Sequence, residues 1–179
     1  MSTKVRIRVL AGFLVAALAL TGCTDVERAE LERRVTFLAA DELNGRENNQ
    51  PGGLAARDYL VDELRNRLPG AMPGQAGDEA YLQHFSVIKL GKEEVGANVV
   101  AKIEGSTRPD EYVIVSAHYD GQGTNCHITP DPTDTVCNSA TDNATSVAIV
   151  LGLIDRILSS GTPDRSIIFA FFDAEEKYL

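Results

Sequence analysis

Three short motifs in this 179-residue chain put metal-binding and proton-transferring side chains beside apolar runs. His118-Tyr119-Asp120 follows the run 112–117, Asp142-Asn143 opens the stretch 143–159, and Glu175-Glu176 follows the run 165–172. A neutral imidazole and carboxylates are ordinary zinc ligands. A carboxylate two residues after a ligating histidine can accept its other ring N–H, fixing tautomer and orientation. That assigns His118 as a ligand with Asp120 behind it. Two divalent cations held about 3.5–4 Å apart need shared negative charge between them, and Asp142 can supply it as a bridge. The paired glutamates can divide the labour: Glu176 binds metal, while Glu175 takes a proton from metal-activated water during attack on a carbonyl and returns it to the departing amine. Alone, His-x-Asp recurs by chance and Glu-Glu is usually a solvated loop. The order of all three motifs at element boundaries predicts metal-assisted hydrolysis.

Such motifs must be held by a scaffold, and in open α/β sheets ligands gather outside the carboxyl ends of strands. The runs 112–117 and 165–172 are nearly continuous apolar segments, as expected of strands covered on both faces. Between them Ala144, Val147, Ala148, Leu151, Ile154, Ile157 and Leu158 form a wide helical stripe ended by Gly161 and Pro163. Strand, helix, strand predicts a parallel, right-handed crossover. Upstream, 81–90 and 97–103 predict an antiparallel pair with Gly91-Lys92-Glu93-Glu94 as the turn. His84, in the first of these, reads as structural. A helix is predicted over 25–40, with Leu31, Val35, Leu38 and Ala39 on its apolar face, then a polar loop over 41–50. Pro51 opens a second helix, whose apolar face of Ala55, Ala56, Tyr59, Leu60, Leu64 and Leu68 stops at Pro69-Gly70. The segment 68–78 reads as a surface loop.

At the N-terminus, Lys4, Arg6 and Arg8 precede an apolar run over 9–20 that is too short to span a bilayer comfortably. This reads as an export signal. Leu20-Thr21-Gly22-Cys23 resembles a bacterial lipoprotein signal, so residues 1–22 are expected to be removed and Cys23 acylated. An ordinary secretory signal with an incidental Cys23 is the alternative. The expected location is the bacterial cell envelope, as a periplasm-facing or outer-surface lipoprotein tethered to the membrane by its lipid. The remaining Cys126 and Cys137 would then lie in an oxidising compartment, which predicts a disulfide. The rival, a metal knuckle at Cys126-His127, lacks a CxxC pair and a second nearby histidine.

Loss of the leader leaves 14 Lys+Arg against 26 Asp+Glu, a net charge near −12. Such a chain has no electrostatic reason to seek nucleic acid and no polybasic segment for membrane attraction.

Together VIVSAHYDGQG, NSATDNATSVAIVL and RSIIFAFFDAEE resemble the zinc aminopeptidases of peptidase family M28. Asp41-Glu-Leu-Asn-Gly-Arg46, followed by Pro51-Gly52-Gly53 and a helix, is similar to the N-terminal opening of the same family. The resemblance implies an α/β three-layer sandwich with a mixed, mostly parallel sheet of the zinc-exopeptidase type, truncated at the C-terminus. Residues 23–179 would be the N-terminal portion of a single peptidase domain. It implies two zinc ions, with His118 on one, Asp142 bridging, Glu176 on the other, Glu175 as general base and Asp120 behind His118. It also implies a cis peptide bond between Asp142 and Asn143. The activity implied is hydrolysis of peptide substrates, with aminopeptidase the family's commonest form.

Thr141 stands where many members have another aspartate, and Ser146 replaces a common glycine; neither is a ligand position. The family also uses a further aspartate and a further histidine downstream of the glutamate pair, whereas this sequence ends at Leu179 and neither His84 nor His127 is a convincing substitute. Each zinc is therefore expected to find two protein ligands where catalytic sites use three. Residues 23–179 alone are expected to be weakly active or inactive, with an apolar face and an edge exposed.

The nearest enzymatic rival is a glutaminyl cyclase, which resembles the chain at Ala140-Thr141-Asp142 and at Phe171-Phe172-Asp173-x-Glu175-Glu176, uses one zinc and transfers no water. Asn143-Ala144-Thr145 looks more like the peptidases. The M20 metallopeptidases share the motif order, but their Gly-Arg-Gly context before the aspartate is absent. A non-catalytic binding relative would have no need of Glu175. The loop 121–138 could border a substrate entrance.

Overall fold

A computed structural model describes residues 24–124 and 133–178. Helix α1, Asp25–Leu38, begins at Thr24, whose side chain accepts the Glu27 amide while the Glu27 carboxylate accepts the Thr24 amide. Of the apolar face read at Leu31, Val35, Leu38 and Ala39, Leu38 is buried and the other three are half-buried, and Arg34 turns inward beside them. Arg34, 1% exposed, is tolerated there because its Nη2 lies 2.8 Å from Asp155 Oδ2 and its Nε 3.4 Å from Glu63 Oε2.

The stretch expected as a polar loop contains a tight turn, Asp41–Arg46, in which Asn44, Gly45 and Arg46 all have positive φ (45°, 69° and 52°). Helix α2, Pro51–Arg65, follows with proline in its first turn. It lies so close to the preceding turn that a Cβ on Gly52 would sit 1.7 Å from the Leu43 carbonyl oxygen.

Strands β1, Leu82–Lys89, and β2, Lys92–Ile103, form the expected antiparallel pair. Strand β2 starts earlier than its composition suggested. Leu90 and Gly91, with φ of 50° and 78°, reverse the chain in two residues, which frees Lys92 to pair with Lys89. Strand β3, Arg108–His118, helix α3, Thr145–Ser160, and strand β4, Arg165–Phe172, make the strand–helix–strand unit, with β3 and β4 parallel. The sheet order is β1-β2-β4-β3, and β2 pairs antiparallel to β4, so the fold is α/β with a mixed sheet.

Side chains alternate across a strand, and one face of the sheet carries Val99, Ala101, Ile103, Phe169, Phe171 and Ala117 into the core. There they meet Leu38 of α1, Ala56, Leu60 and Leu64 of α2, and Val147, Leu151 and Ile154 of α3. By composition the stretch Ala140–Ser160 is apolar enough to cross a membrane, but its Val147, Leu151 and Ile154 are fully buried in this core. Strand β3 differs from the expectation of cover on both faces. Tyr112, Val113 and Ile114 are 53%, 44% and 64% exposed, because β3 is the terminal strand among the described residues and nothing described covers its far face.

Candidate metal centre

The parallel pairing of His118 with Phe172 brings two motif-bearing strand ends side by side. The Tyr119 amide continues the ladder by donating to the Phe172 carbonyl at 2.9 Å. Beyond β4, Ala174 takes a left-handed conformation (φ 62°), so Glu175 and Glu176 sit on a short helical turn rather than on the strand itself. Asp120, fully buried, locks this turn: Oδ1 accepts the Glu175 amide and Oδ2 the Glu176 amide, each at 3.1 Å. The third motif arrives through a widened turn, Ala140–Ala144, between left-handed Ser139 (φ 50°) and α3, and its Asp142–Asn143 peptide bond is cis.

These elements converge on the imidazole of His118. Its Nε2 lies 3.0 Å from Asp142 Oδ1 and 3.7 Å from Glu175 Oε2, while Nδ1 lies 3.4 Å from Asp120 Oδ1. The hydrogen bond to Asp120 raises the His118 pKa to about 9; burial opposes the rise, and Asp142 and Glu175 add to it. Glu176 is turned toward the same space. Gln122 Nε2 donates to its Oε2 at 3.1 Å, and its Oε1 is buried with no hydrogen-bond partner. Burial raises the Glu176 pKa, with the charges of Asp142 and Asp120 adding to the shift.

Among the described residues, no group of three or more His, Cys, Asp or Glu side chains is placed to hold a metal ion. The donors nevertheless suit zinc in kind: an imidazole nitrogen flanked by carboxylates, and a carboxylate oxygen held inside the protein without a donor. His118, Asp142 and Glu176 would hold the metal, and Asp120 would orient His118.

The structure thus brings together His118, Asp120, Asp142, Glu175 and Glu176. His84 lies apart, exposed on β1 and 2.9 Å from Glu79. Cys137 is buried and disulfide-bonded. Cys23, Cys126 and His127 lie outside the described residues.

Arg46 is the neighbour that the motifs did not single out. Its guanidinium, 1% exposed, donates to the carbonyls of Tyr119 (2.9 Å), Asn138 (2.9 Å), Ser139 (3.0 Å) and Leu38. Burial lowers its pKa to about 10, against the opposing charges of Asp120 and Glu176, so it remains a cation at neutral pH. The sequence signal was the Asn44-Gly45-Arg46 turn within the stretch resembling the family's opening.

Known proteins resemble this chain in sequence and in fold. Residues 98–179, which contain every motif of the site, match the model of Peptidase family M28. A probable zinc metalloprotease of Pyricularia oryzae is 29% identical over 85% of this chain and 29% of its own length. Among solved structures, a Zn-dependent exopeptidase from Parabacteroides distasonis aligns with TM-score 0.63 and 24% identity over 86% of this chain and 49% of that one. A glutaminyl cyclase from Fimbriiglobus ruber aligns with TM-score 0.61 and 16% identity over 86% and 47%. The chain therefore shares its fold with these zinc exopeptidase and glutaminyl cyclase structures, and its residues 98–179 are similar to Peptidase family M28. It spans about a third or less of the length of the curated relatives it matches.

Proposed function

We propose that the protein is a zinc-dependent peptidase that removes N-terminal residues from peptides, with Glu175 as general base. The observation that carries this reading is the placement of His118 Nε2 between the Asp142 and Glu175 carboxylates, 3.0 and 3.7 Å away. Zinc, when bound, supplies a Lewis acid that polarises a carbonyl and brings the acidity of water to about pH 7. The protein's own groups do the rest. Asp120 orients the His118 ring through Nδ1 and holds the Glu175–Glu176 turn through two amides. Glu175, 58% exposed, can reach solvent and substrate, so its carboxylate takes the proton of the attacking water and returns it to the departing amine. Glu175 also borders an open cleft with Phe85, Val87, Asn98, Phe172 and Asp173, where an apolar substrate side chain would find apolar walls.

The glutaminyl cyclase reading shares the fold at nearly equal similarity, so the products decide. The protein expressed from its own gene should release free amino acids from aminoacyl substrates and no ammonia from peptides beginning with glutamine. Glu175→Gln should lower kcat by roughly 10²–10⁴-fold. Ammonia release without hydrolysis would assign the cyclase reaction instead.

A further inference from the structure

We propose that Arg46 is a positioning residue for the metal site, its guanidinium setting the separation between the His118–Asp120 segment and the turn that carries Asp142. The consequence for zinc rests on the function proposed above; the geometry does not.

The guanidinium is a planar fork of five N–H donors, and its directions match the backbone around it. Nε donates to the carbonyl of Tyr119, the residue between His118 and Asp120. Nη1 and Nη2 donate to Asn138 and Ser139, immediately before the Ala140–Ala144 turn that holds Asp142. Nη1 also reaches the Leu38 carbonyl at the end of α1. One side chain thereby bridges both halves of the site and anchors them to a helix.

The backbone of the same turn repeats the link. The Arg46 carbonyl accepts the Gly121 amide at 3.0 Å, and the Gly45 carbonyl accepts the Gly123 amide at 3.2 Å. Asn138 closes the bridge from the other side, its Nδ2 donating to the Ala39 carbonyl at 2.8 Å and to Asp41 Oδ1 at 2.6 Å. Burying a cation carries a desolvation cost, and here it is offset by carbonyl oxygens rather than by a directly paired carboxylate. All four carbonyls belong to segments that flank the site or end α1. Lysine could keep the charge, but its compact ammonium cannot satisfy this fan of acceptors.

The test compares the wild-type chain with Arg46→Lys, measuring zinc affinity by competition with a chromophoric chelator and the ring resonances of His118 in the metal-free protein. The expected result is a folded R46K variant whose zinc Kd is roughly tenfold to a hundredfold higher. If R46K binds zinc as tightly as wild type, the proposal is overturned, whatever happens to its melting temperature. If the wild-type chain binds no zinc, the zinc reading itself fails and the His118 resonances decide: shifted in R46K, they support positioning, and unchanged, they overturn it. Should R46K not fold, Asn138→Ala loosens the same bridge from a partly exposed position and is judged by the same two measurements.

Discussion

Asp120 Oδ1 accepts the backbone amide of Glu175 at 3.1 Å, tying the loop after β3 to the turn after β4. Asp120 also faces Nδ1 of His118 at 3.4 Å, so one carboxylate sets both the ligand's ring and the base's backbone. In Asp120→Asn the new amide nitrogen would confront one of the two backbone N–H groups. We expect a loss of about 2 kcal/mol in urea unfolding, from a buried donor left without an acceptor. Zinc affinity should fall roughly tenfold to a hundredfold. A variant unchanged in both would show that Asp120 only fills space.

Gly45 offers a test of how tightly the opening turn grips the site. A Cβ there would lie 2.3 Å from the Gly123 carbonyl oxygen and 2.7 Å from that of Cys137, at a φ of +69°. Gly45→Ala should destabilise the chain by about 2–3 kcal/mol. Gly74 has a similar φ of +76° but nothing within 4 Å of its Cβ position, so Gly74→Ala should cost about 1 kcal/mol. Equal losses by chemical denaturation would argue against close packing at Gly45.

Glu63 carries a pH dependence away from the site. Burial alone would raise its pKa, but the Arg33 hydrogen bond and the charges of Arg67, Arg34 and Arg33 outweigh it, and the net shift is downward. A folded pKa below the unfolded value stabilises above the unfolded pKa of about 4.5, and that contribution is lost as pH falls through the lower folded value. Glu63→Gln should therefore be about 2 kcal/mol less stable than wild type at pH 7, since buried Arg34 loses a charged partner. The gap should close as the pH is lowered below about 4.5. A gap independent of pH would mean that side-chain shape, not charge, is responsible.

Export and anchoring form a separate proposal resting on Cys23. With its own leader, the protein should fractionate with membranes and incorporate labelled fatty acid, because its apolar run is short and no polybasic segment follows it. Cys23→Ala should abolish the label and release the protein from membranes. A labelled C23A protein would place the lipid elsewhere.

Much of the site could be read from the sequence because its residues follow strong periodic signals. The apolar runs ending at Ala117 and Phe172 place His118 and Glu175 beside one another once the crossover is parallel. Family resemblance, rather than spacing, supplied the cis bond at Asp142. Arg46 stayed hidden because its partners are all backbone carbonyls, which no pattern of residue types encodes. The burial of Arg34 was not legible either, because the carboxylates that hold it inside come from two other helices. The two-residue reversal at Leu90-Gly91 was obscured because leucine is an unusual occupant of positive φ.

The central claim is that His118 holds zinc while Glu175 handles protons, and zinc affinity measured side by side on wild type, His118→Ala and Glu175→Gln tests it most directly. The account predicts measurable binding in wild type, at least a tenfold loss in H118A, and an affinity in E175Q within about threefold of wild type, since a base beside the metal is not its ligand. Unchanged binding in H118A, or an equal loss in both variants, would contradict it.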